Sequence, residues 1–156
     1  MKPALQNAPQ GETSLTVEQF VKASPAKVYD ALTKPELMSK WFICAPDCKS
    51  DIKTKLEKGG AYSIVFHKPD GGSTVVGGKY IELQPGKKVS FTWGWKNDKG
   101  QMPDDSIVTI HLREEKGGTQ ITLHHERLPD VQEVEQHTKG WVACLAGLAE
   151  GVNAAN

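Results

Sequence analysis

Six closely spaced runs of strand-forming residues, followed by one long helical stripe, most constrain how this chain can fold. The runs cover residues 50–56, 61–67, 73–83, 88–95, 106–114 and 119–127. Each ends at a turn-forming cluster, such as Gly59-Gly60, Pro85-Gly86 or Gly117-Gly118, and such turns join neighbouring antiparallel strands. The runs therefore predict an antiparallel meander, and Gly77-Gly78 inside the third run predicts a bulge or bend.

The segments on either side of the meander add one strand and three helices. A period of two predicts a first strand from about Thr13 to Ala23, and Ser24-Pro25 is typical of a helix start. Pro35 begins a second short helix that ends near Trp41. A final helix from about Val131 to Val152 would be roughly 33 Å long. One face of this helix carries Val134, His137, Trp141, Leu145, Leu148 and Val152.

This order of elements predicts an α+β fold of the helix-grip kind. A curved seven-stranded antiparallel sheet, in the chain order β-α-α-β6-α, should wrap around the long C-terminal helix. A cavity is expected where helix and sheet diverge, and a mostly apolar concavity is the default position for a ligand. The helix residues Val134, Trp141, Leu145 and Leu148 are expected to be buried against Phe91, Trp93, Ile121 and Leu123.

Length and charge limit the organisation and the partners. The 156 residues predict a flexible leader over residues 1–12 and one domain over residues 13–156. Lys and Arg number 19, as do Asp and Glu, so no net field favours nucleic acid as a partner. No apolar run is long enough for a membrane span, and the start lacks a secretory signal, so we expect a cytoplasmic protein with reduced cysteines.

Several separated motifs, which span about Ser14 to Val152, resemble one superfamily. They are residues 24–33, Pro35-Glu36-Leu37 to Lys40-Trp41, Gly78-Lys79-Tyr80, residues 89–93, residues 119–126, Gly140-Trp141 and Cys144-Leu145. The pattern is similar to the START-like, or birch-pollen-allergen-like, helix-grip superfamily. Within it the chain most resembles the homologues of the C-terminal domain of the heat-shock-protein-90 ATPase activator. The resemblance implies the helix-grip fold and carries no catalytic signature.

Eight side chains are candidates to line the cavity: Trp41, Tyr62, Phe66, Trp93, Trp95, His125, His137 and Trp141. Trp93 and Trp95 share a strand face, whereas Trp41, at the end of a short helix, is expected to be partly exposed at the cavity entrance. His125 and His137 share faces with apolar residues and could be polar handles. The alternative is that these aromatic and imidazole side chains only fill the core.

The sequence predicts neither metal nor cofactor, and no catalytic residue. Cys44 and Cys48 form a single pair of possible soft ligands, whereas a structural zinc site needs four. No Ser, Cys or carboxylate is spaced to form an acid–base pair with either inward histidine. The glycine pairs are not followed by the helix that a phosphate-binding loop requires.

Three functions remain open at this stage. The leading interpretation is a non-enzymatic module that binds a small hydrophobic or amphipathic molecule in the cavity, oriented by His125, His137 or Tyr62. The resemblance implies a second, a cofactor of a heat-shock-protein-90 chaperone. In the eukaryotic activator a separate domain precedes the similar one, so the short leader predicts at most a residual partner contact here. The superfamily also contains polyketide cyclases and aromatases, which need a polar cavity suited to acid–base chemistry.

Overall fold

A computed structural model describes residues 13–42, 49–96, 99 and 106–155, and it has the expected α+β architecture. The leader predicted over residues 1–12 lies outside this range. The strands are β1 (Thr13–Val21), β2 (Lys49–Thr54), β3 (Ala61–His67), β4 (Ser73–Gln84), β5 (Lys88–Trp95), β6 (Ser106–Glu115) and β7 (Gly118–Leu128). The helices are α1 (Pro25–Thr33), α2 (Pro35–Trp41) and α3 (Val131–Ala155).

The seven strands form one antiparallel sheet in the order β1-β7-β6-β5-β4-β3-β2. Strands β2 to β7 are sequential neighbours, which confirms the predicted meander. The first strand then pairs with the last, so that β1 and β2 form the two edges. The predicted helix-grip order is confirmed, with the two short helices between the edge strands in the chain.

Local capping fixes where the helices begin. Ser24 accepts a hydrogen bond from the Lys27 backbone N–H (3.3 Å), and Pro25 occupies the first helical position. The first strand accordingly ends at Val21, two residues before the predicted end at Ala23. Asp130 Oδ1 accepts from the backbone N–H of Glu133 (2.9 Å), which satisfies one of the donors exposed at the start of α3. No helix in the described ranges is both long and apolar enough to cross a membrane.

The apolar face of α3 packs on the sheet as the sequence predicts, chiefly against β1. Val134, Trp141, Leu145 and Leu148 are all buried, and the last two are completely inaccessible to solvent. Their expected strand partners Phe91, Trp93, Ile121 and Leu123 are buried as well. The short helices α1 and α2 both contact α3.

The glycine pair in β4 has a different role from the predicted bulge. The register of β4 against β5 shifts between Tyr80 and Glu82, so the position predicted for a bulge was wrong, whereas the alternative of a bend at Gly77-Gly78 stays a prediction. A β-carbon at Gly78 would instead overlap the carbonyl oxygen and side chain of Thr92 on β5. Tyr62, the β3 partner of Gly78, donates its hydroxyl to that carbonyl across the glycine (2.5 Å). Gly78 is therefore required for close strand approach.

Candidate functional site

A cavity of about 510 Å³ lies between α3 and the part of the sheet formed by β3, β4 and β5. Aromatic side chains and polar or small residues of α3 share its wall. The lining residues are Phe42, Phe66, Thr74, Trp93, Trp95, Glu133, Gln136, His137, Gly140, Trp141, Ala143 and Cys144. The space is present because α3 packs chiefly on β1 at one edge of the sheet, while the opposite strands curve over it at a distance.

Five of the eight side chains predicted from the sequence lie in this wall: Phe66, Trp93, Trp95, His137 and Trp141. Trp93 is buried, and Trp95, 39% exposed, forms the outer part of the wall. The rings touch edge to face, with 5.7 Å between the centroids of Trp93 and Trp95 and an angle of 88°. The strand pattern thus placed these aromatic residues on the correct face of the sheet.

Trp41 is not at the cavity entrance, and its expected partial exposure was wrong. Its side chain is 6% exposed, and its indole N–H donates to the carbonyl oxygen of Ala31 (2.8 Å). Its ring stacks on Phe42 with 4.8 Å between centroids. Because Phe42 does line the cavity, Trp41 supports the wall from behind.

Tyr62 and His125 are also absent from the cavity wall. Tyr62 is buried, and its hydroxyl is engaged with Thr92 on β5. His125 is completely buried on β7. Neither side chain orients anything within this cavity, contrary to the polar-handle expectation, whereas the third predicted handle, His137, does reach the wall.

The α3 residues in the wall, other than His137 and Trp141, were missed by sequence reasoning. They are Glu133, Gln136, Gly140, Ala143 and Cys144. Glu133, Gln136, Gly140 and Ala143 recur at spacings of three or four, and Cys144 follows Gly140 by four, so the five form a helical stripe beside the apolar one. Small residues at Gly140 and Ala143 were the available signal, since a stripe without large side chains cannot fill the space in front of it.

His137 joins the helix to the tryptophan pair on β5. Its Nε2 atom lies 3.3 Å from Trp93 Nε1 and 3.1 Å from Trp95 Nε1. Indole nitrogen can only donate, so Nε2 must carry the lone pair and accept both bonds. The other ring nitrogen, Nδ1, then carries the proton and donates to the backbone carbonyl of Glu133 (2.8 Å). These contacts require the neutral imidazole with its proton on Nδ1.

His125 sits in a second chain of hydrogen bonds whose direction is also fixed. Trp141 Nε1–H donates to His125 Nδ1 (3.1 Å), so the imidazole proton is on Nε2. That N–H donates to Ser106 Oγ (2.8 Å), and the Ser106 hydroxyl donates to the carbonyl oxygen of Trp93 (2.8 Å). The two imidazoles meet edge to face, 5.1 Å apart. Together the chains tie α3, β5, β6 and β7 into one network behind the cavity.

Electrostatics keep His125 neutral. Burial, as the largest cause, and the neighbouring His137 and His124 together lower the pKa of His125 from 6.5 to about 3. Ser106 and His125 are not arranged as a nucleophile–base pair, and sequence reasoning did not anticipate their contact. The serine donates its proton away from the imidazole, both side chains are buried, and an imidazole with so low a pKa is a poor base near neutral pH.

Charge is sparse in the cavity wall. Among the described lining residues Glu133 is the one charged side chain, 39% exposed, with Oε1 3.5 Å from His137 Nδ1. Gln136, Thr74 and Cys144 supply the remaining polar atoms of the wall apart from His137 and the indole nitrogens. The site can therefore surround an apolar or aromatic body and present few polar contacts to it.

The metal prediction stays a prediction. Cys44 and Cys48 lie outside the described residues. Within the described ranges, no group of three or more His, Cys, Asp or Glu side chains is arranged to hold a metal ion.

One long helix on a curved antiparallel sheet, with an aromatic cavity between them, defines a helix-grip protein of the START-like class. The chain belongs to the family described as activator of Hsp90 ATPase homolog 1-like protein, whose model matches residues 22–153. This confirms the resemblance carried by the sequence motifs. No curated protein matches the chain.

Solved structures show the same architecture. Protein CV1439 from Chromobacterium violaceum is 28% identical, with a TM-score of 0.78, and the match covers 89% of this chain and 96% of that one. The AHSA1 (SPO3351) protein from Silicibacter pomeroyi is 22% identical, with a TM-score of 0.78 and coverage of 92% and 99%. The AHSA1-like protein from Aeromonas hydrophila is 19% identical, with a TM-score of 0.77 and coverage of 91% and 93%. The last two likenesses carry the fold alone.

Proposed function

We propose that this protein is a non-enzymatic binding module that holds a small hydrophobic or amphipathic molecule between α3 and the sheet. The observation that carries the proposal is the aromatic cavity of about 510 Å³. Its volume falls within the roughly 300–1,000 Å³ typical of small-molecule sites, and its wall combines apolar rings with few polar groups. A cavity of this size in a tightly packed core has a cost in lost contacts, which a ligand would offset.

The size of the cavity sets the expected affinity. A planar aromatic ligand of about 20 heavy atoms, at roughly 0.3 kcal/mol per atom, would gain about 6 kcal/mol. That free energy corresponds to a Kd of tens of micromolar. Trp93, Trp95 and Trp141 all line the cavity, so ligand entry would change their fluorescence without any label.

The hydrogen-bond network favours binding over catalysis. Both imidazoles near the cavity accept indole N–H bonds and use their own N–H on other groups, which leaves neither as a base aimed at a ligand. A polyketide cyclase or aromatase would need such a base. A bound aromatic polyketide should accordingly be recovered with its mass unchanged, and a new product would overturn the non-enzymatic part of the proposal.

A second candidate function comes from the family description, which names an activator of the Hsp90 ATPase. It would make this protein a partner of a heat-shock-protein-90 chaperone. That contact would use the protein surface, whereas ligand binding uses the interior between α3 and β5. A substitution that fills the cavity therefore separates the two functions.

The test is a fluorescence titration with a flavonoid, a fatty acid and a polyketide-like aromatic. At least one of these classes should give a saturable signal in the micromolar range. Gly140→Leu should weaken that binding about tenfold or more, because a side chain at this position of the cavity wall enters open space. Any contact with the chaperone should survive the same substitution.

Gly151→Leu is the matched control for the cavity-filling variant. Gly151 lies on the same helix and also has open space in front of its β-carbon, but it lines a separate groove. Both substitutions replace a helical glycine, so both raise helix propensity by a similar amount. Equal affinities in the two variants, or a saturable signal with the chaperone alone, would overturn the binding-module proposal.

A further inference from the structure

The donors and charges of the cavity wall select among ligands, and we propose that the preferred ligand is an organic cation: an amine or quaternary ammonium group attached to an aromatic or apolar body. This inference rests on the proposed function and names the ligand class of the same cavity. It follows from three features of the wall: which N–H donors are already used, which charge is present, and how many aromatic rings surround the space.

The tryptophan N–H donors of the cavity are already engaged. Trp93 and Trp95 both donate to His137 Nε2, and Trp141 donates to His125 Nδ1. The remaining N–H of the His137 ring donates to the Glu133 carbonyl. An anionic headgroup would have to break one of these bonds or rely on Gln136, Thr74 or Cys144. An ammonium group needs no N–H donor from the protein, and a quaternary ammonium group makes no hydrogen bond of its own, so a cation can bind without breaking these bonds.

The charge of the wall has the matching sign. Glu133 is the single charged residue among the described lining residues, and none of them is Lys or Arg. The Glu133 backbone is held at the start of α3 by Asp130 and His137, and the Glu133 carboxylate lies 3.5 Å from His137 Nδ1. A ligand cation near this helix start would meet a carboxylate, whereas a ligand anion would be repelled by it.

The aromatic rings supply a second attraction for positive charge. Phe42, Phe66, Trp93, Trp95 and Trp141 contribute five aromatic side chains to one wall. A cation within about 6 Å of an aromatic face is attracted by the negative potential of the π system, most strongly for Trp. Aromatic cages with an adjacent carboxylate recognise ammonium groups by this combination. The negative potential of the same ring faces does not attract a carboxylate ligand.

The test compares three ligands that share a naphthalene body, by isothermal titration calorimetry with the full chain. They are (2-naphthylmethyl)trimethylammonium, neutral 2-(2-naphthyl)ethanol and anionic 2-naphthylacetate. The cation should bind about tenfold more tightly than the alcohol, and the carboxylate should bind more weakly than the alcohol. Raising the salt concentration should lower the affinity for the cation and leave the affinity for the alcohol unchanged, because salt screens the attraction between the cation and the partly exposed Glu133 carboxylate.

Two charge-neutralising variants locate the effect. Glu133→Gln should reduce the affinity for the cation about fivefold and change that for the alcohol less than twofold. Glu135→Gln, an exposed acidic position next along α3 that does not line the cavity, should change neither affinity. Both variants remove one negative charge near the start of the same helix. If the affinity for the cation fell only because the helix start had lost a carboxylate, the two variants would lose the same affinity.

The outcomes separate this inference from the proposed function. If the alcohol or the carboxylate binds as tightly as the cation, the cavity is a ligand site without charge preference and the cation inference is wrong. A cation preference that Glu133→Gln leaves unchanged also overturns it. If none of the three ligands binds while the flavonoid, fatty acid or polyketide-like aromatic gives a saturable signal, the cation inference is wrong and the proposed function stands. If none of either set binds, the proposed function itself fails and the inference fails with it.

Discussion

Two neighbouring stripes of α3 meet the sheet in opposite ways. The packed stripe, Val134, Trp141, Leu145 and Leu148, is buried, and Trp141 alone among these four also borders the cavity. The cavity stripe, Glu133, Gln136, Gly140, Ala143 and Cys144, borders about 510 Å³ of space. Both stripes have the same helical spacing, so the difference lies in side-chain size and polarity. Large aliphatic residues seal the helix to the sheet, whereas small and polar ones leave room between them.

The two histidines also differ in position, since one lies beside the packed stripe and the other lies at the cavity. His125 lies behind the packed stripe, is completely inaccessible to solvent and bonds Trp141 and Ser106. His137 lies at the cavity and holds the indole N–H groups of Trp93 and Trp95. Each imidazole accepts from a buried tryptophan N–H, Trp141 for His125 and Trp93 for His137, and a buried donor left without a partner would be costly. The nitrogen atoms of both histidines are therefore used in hydrogen bonds within the protein, which gives these residues a structural role whether or not a ligand binds.

The packed stripe should be the more sensitive one to truncation. Leu145→Ala removes a completely buried side chain, and we expect it to lower the free energy of unfolding by about 2 to 5 kcal/mol in urea. Val142→Ala, at a position 51% exposed on the same helix, should change it by less than about 0.5 kcal/mol. Equal losses for the two variants would mean that α3 does not dock through the packed stripe.

Acid should destabilise the protein through His125. Its pKa is about 3 when folded, below the ordinary 6.5, so the unfolded chain binds more protons between these values. The stability that neutral His125 contributes is fully present above pH 6.5 and is lost as the pH falls toward 3. Between pH 6.5 and 4.5 the loss should be about 2 to 3 kcal/mol, measured by urea unfolding.

Two controls isolate this titration. His125→Gln should have a shallower loss of stability with acid than the natural chain, whereas His111→Gln, at an exposed position, should keep the natural slope. Nitrogen NMR of the natural chain should find the His125 proton on Nε2 and the ring still neutral at pH 4.5. A ring that becomes charged near pH 6 in the folded protein would contradict the network around Trp141 and Ser106.

The fold could be predicted because its signals are local. The period of two, the turn clusters and the apolar helical stripe each lie within a few residues of one another, and each decides one element. The aromatic side of the cavity followed from the same strand pattern, which placed Phe66, Trp93 and Trp95 on the inner face. Local pattern was sufficient wherever a large side chain marked the position.

The rest of the site depended on contacts between distant segments. Ser106 meets His125 across neighbouring strands, nineteen positions apart, in a register that the sequence does not state. Tyr62 turns away from the cavity because the missing side chain of Gly78 lets its hydroxyl reach β5. The cavity stripe was missed because space is marked by small residues such as Gly140, and an absent side chain leaves no periodic apolar signal.

The smallest expected effects are those of replacing a glycine with alanine at two positions, one in a close contact between strands and one on the cavity stripe. Gly78→Ala forces a β-carbon into Thr92 of β5, and it should lower the free energy of unfolding by about 1 to 3 kcal/mol. Gly140→Ala places the same methyl group in open space on a helix, and it should raise the free energy of unfolding by up to about 1 kcal/mol. The opposite signs follow because the methyl group meets atoms of Thr92 on β5 at position 78 and meets no protein atom at position 140. Urea unfolding of both variants measures the pair, and a loss of stability in Gly140→Ala would mean that the cavity stripe is packed in solution.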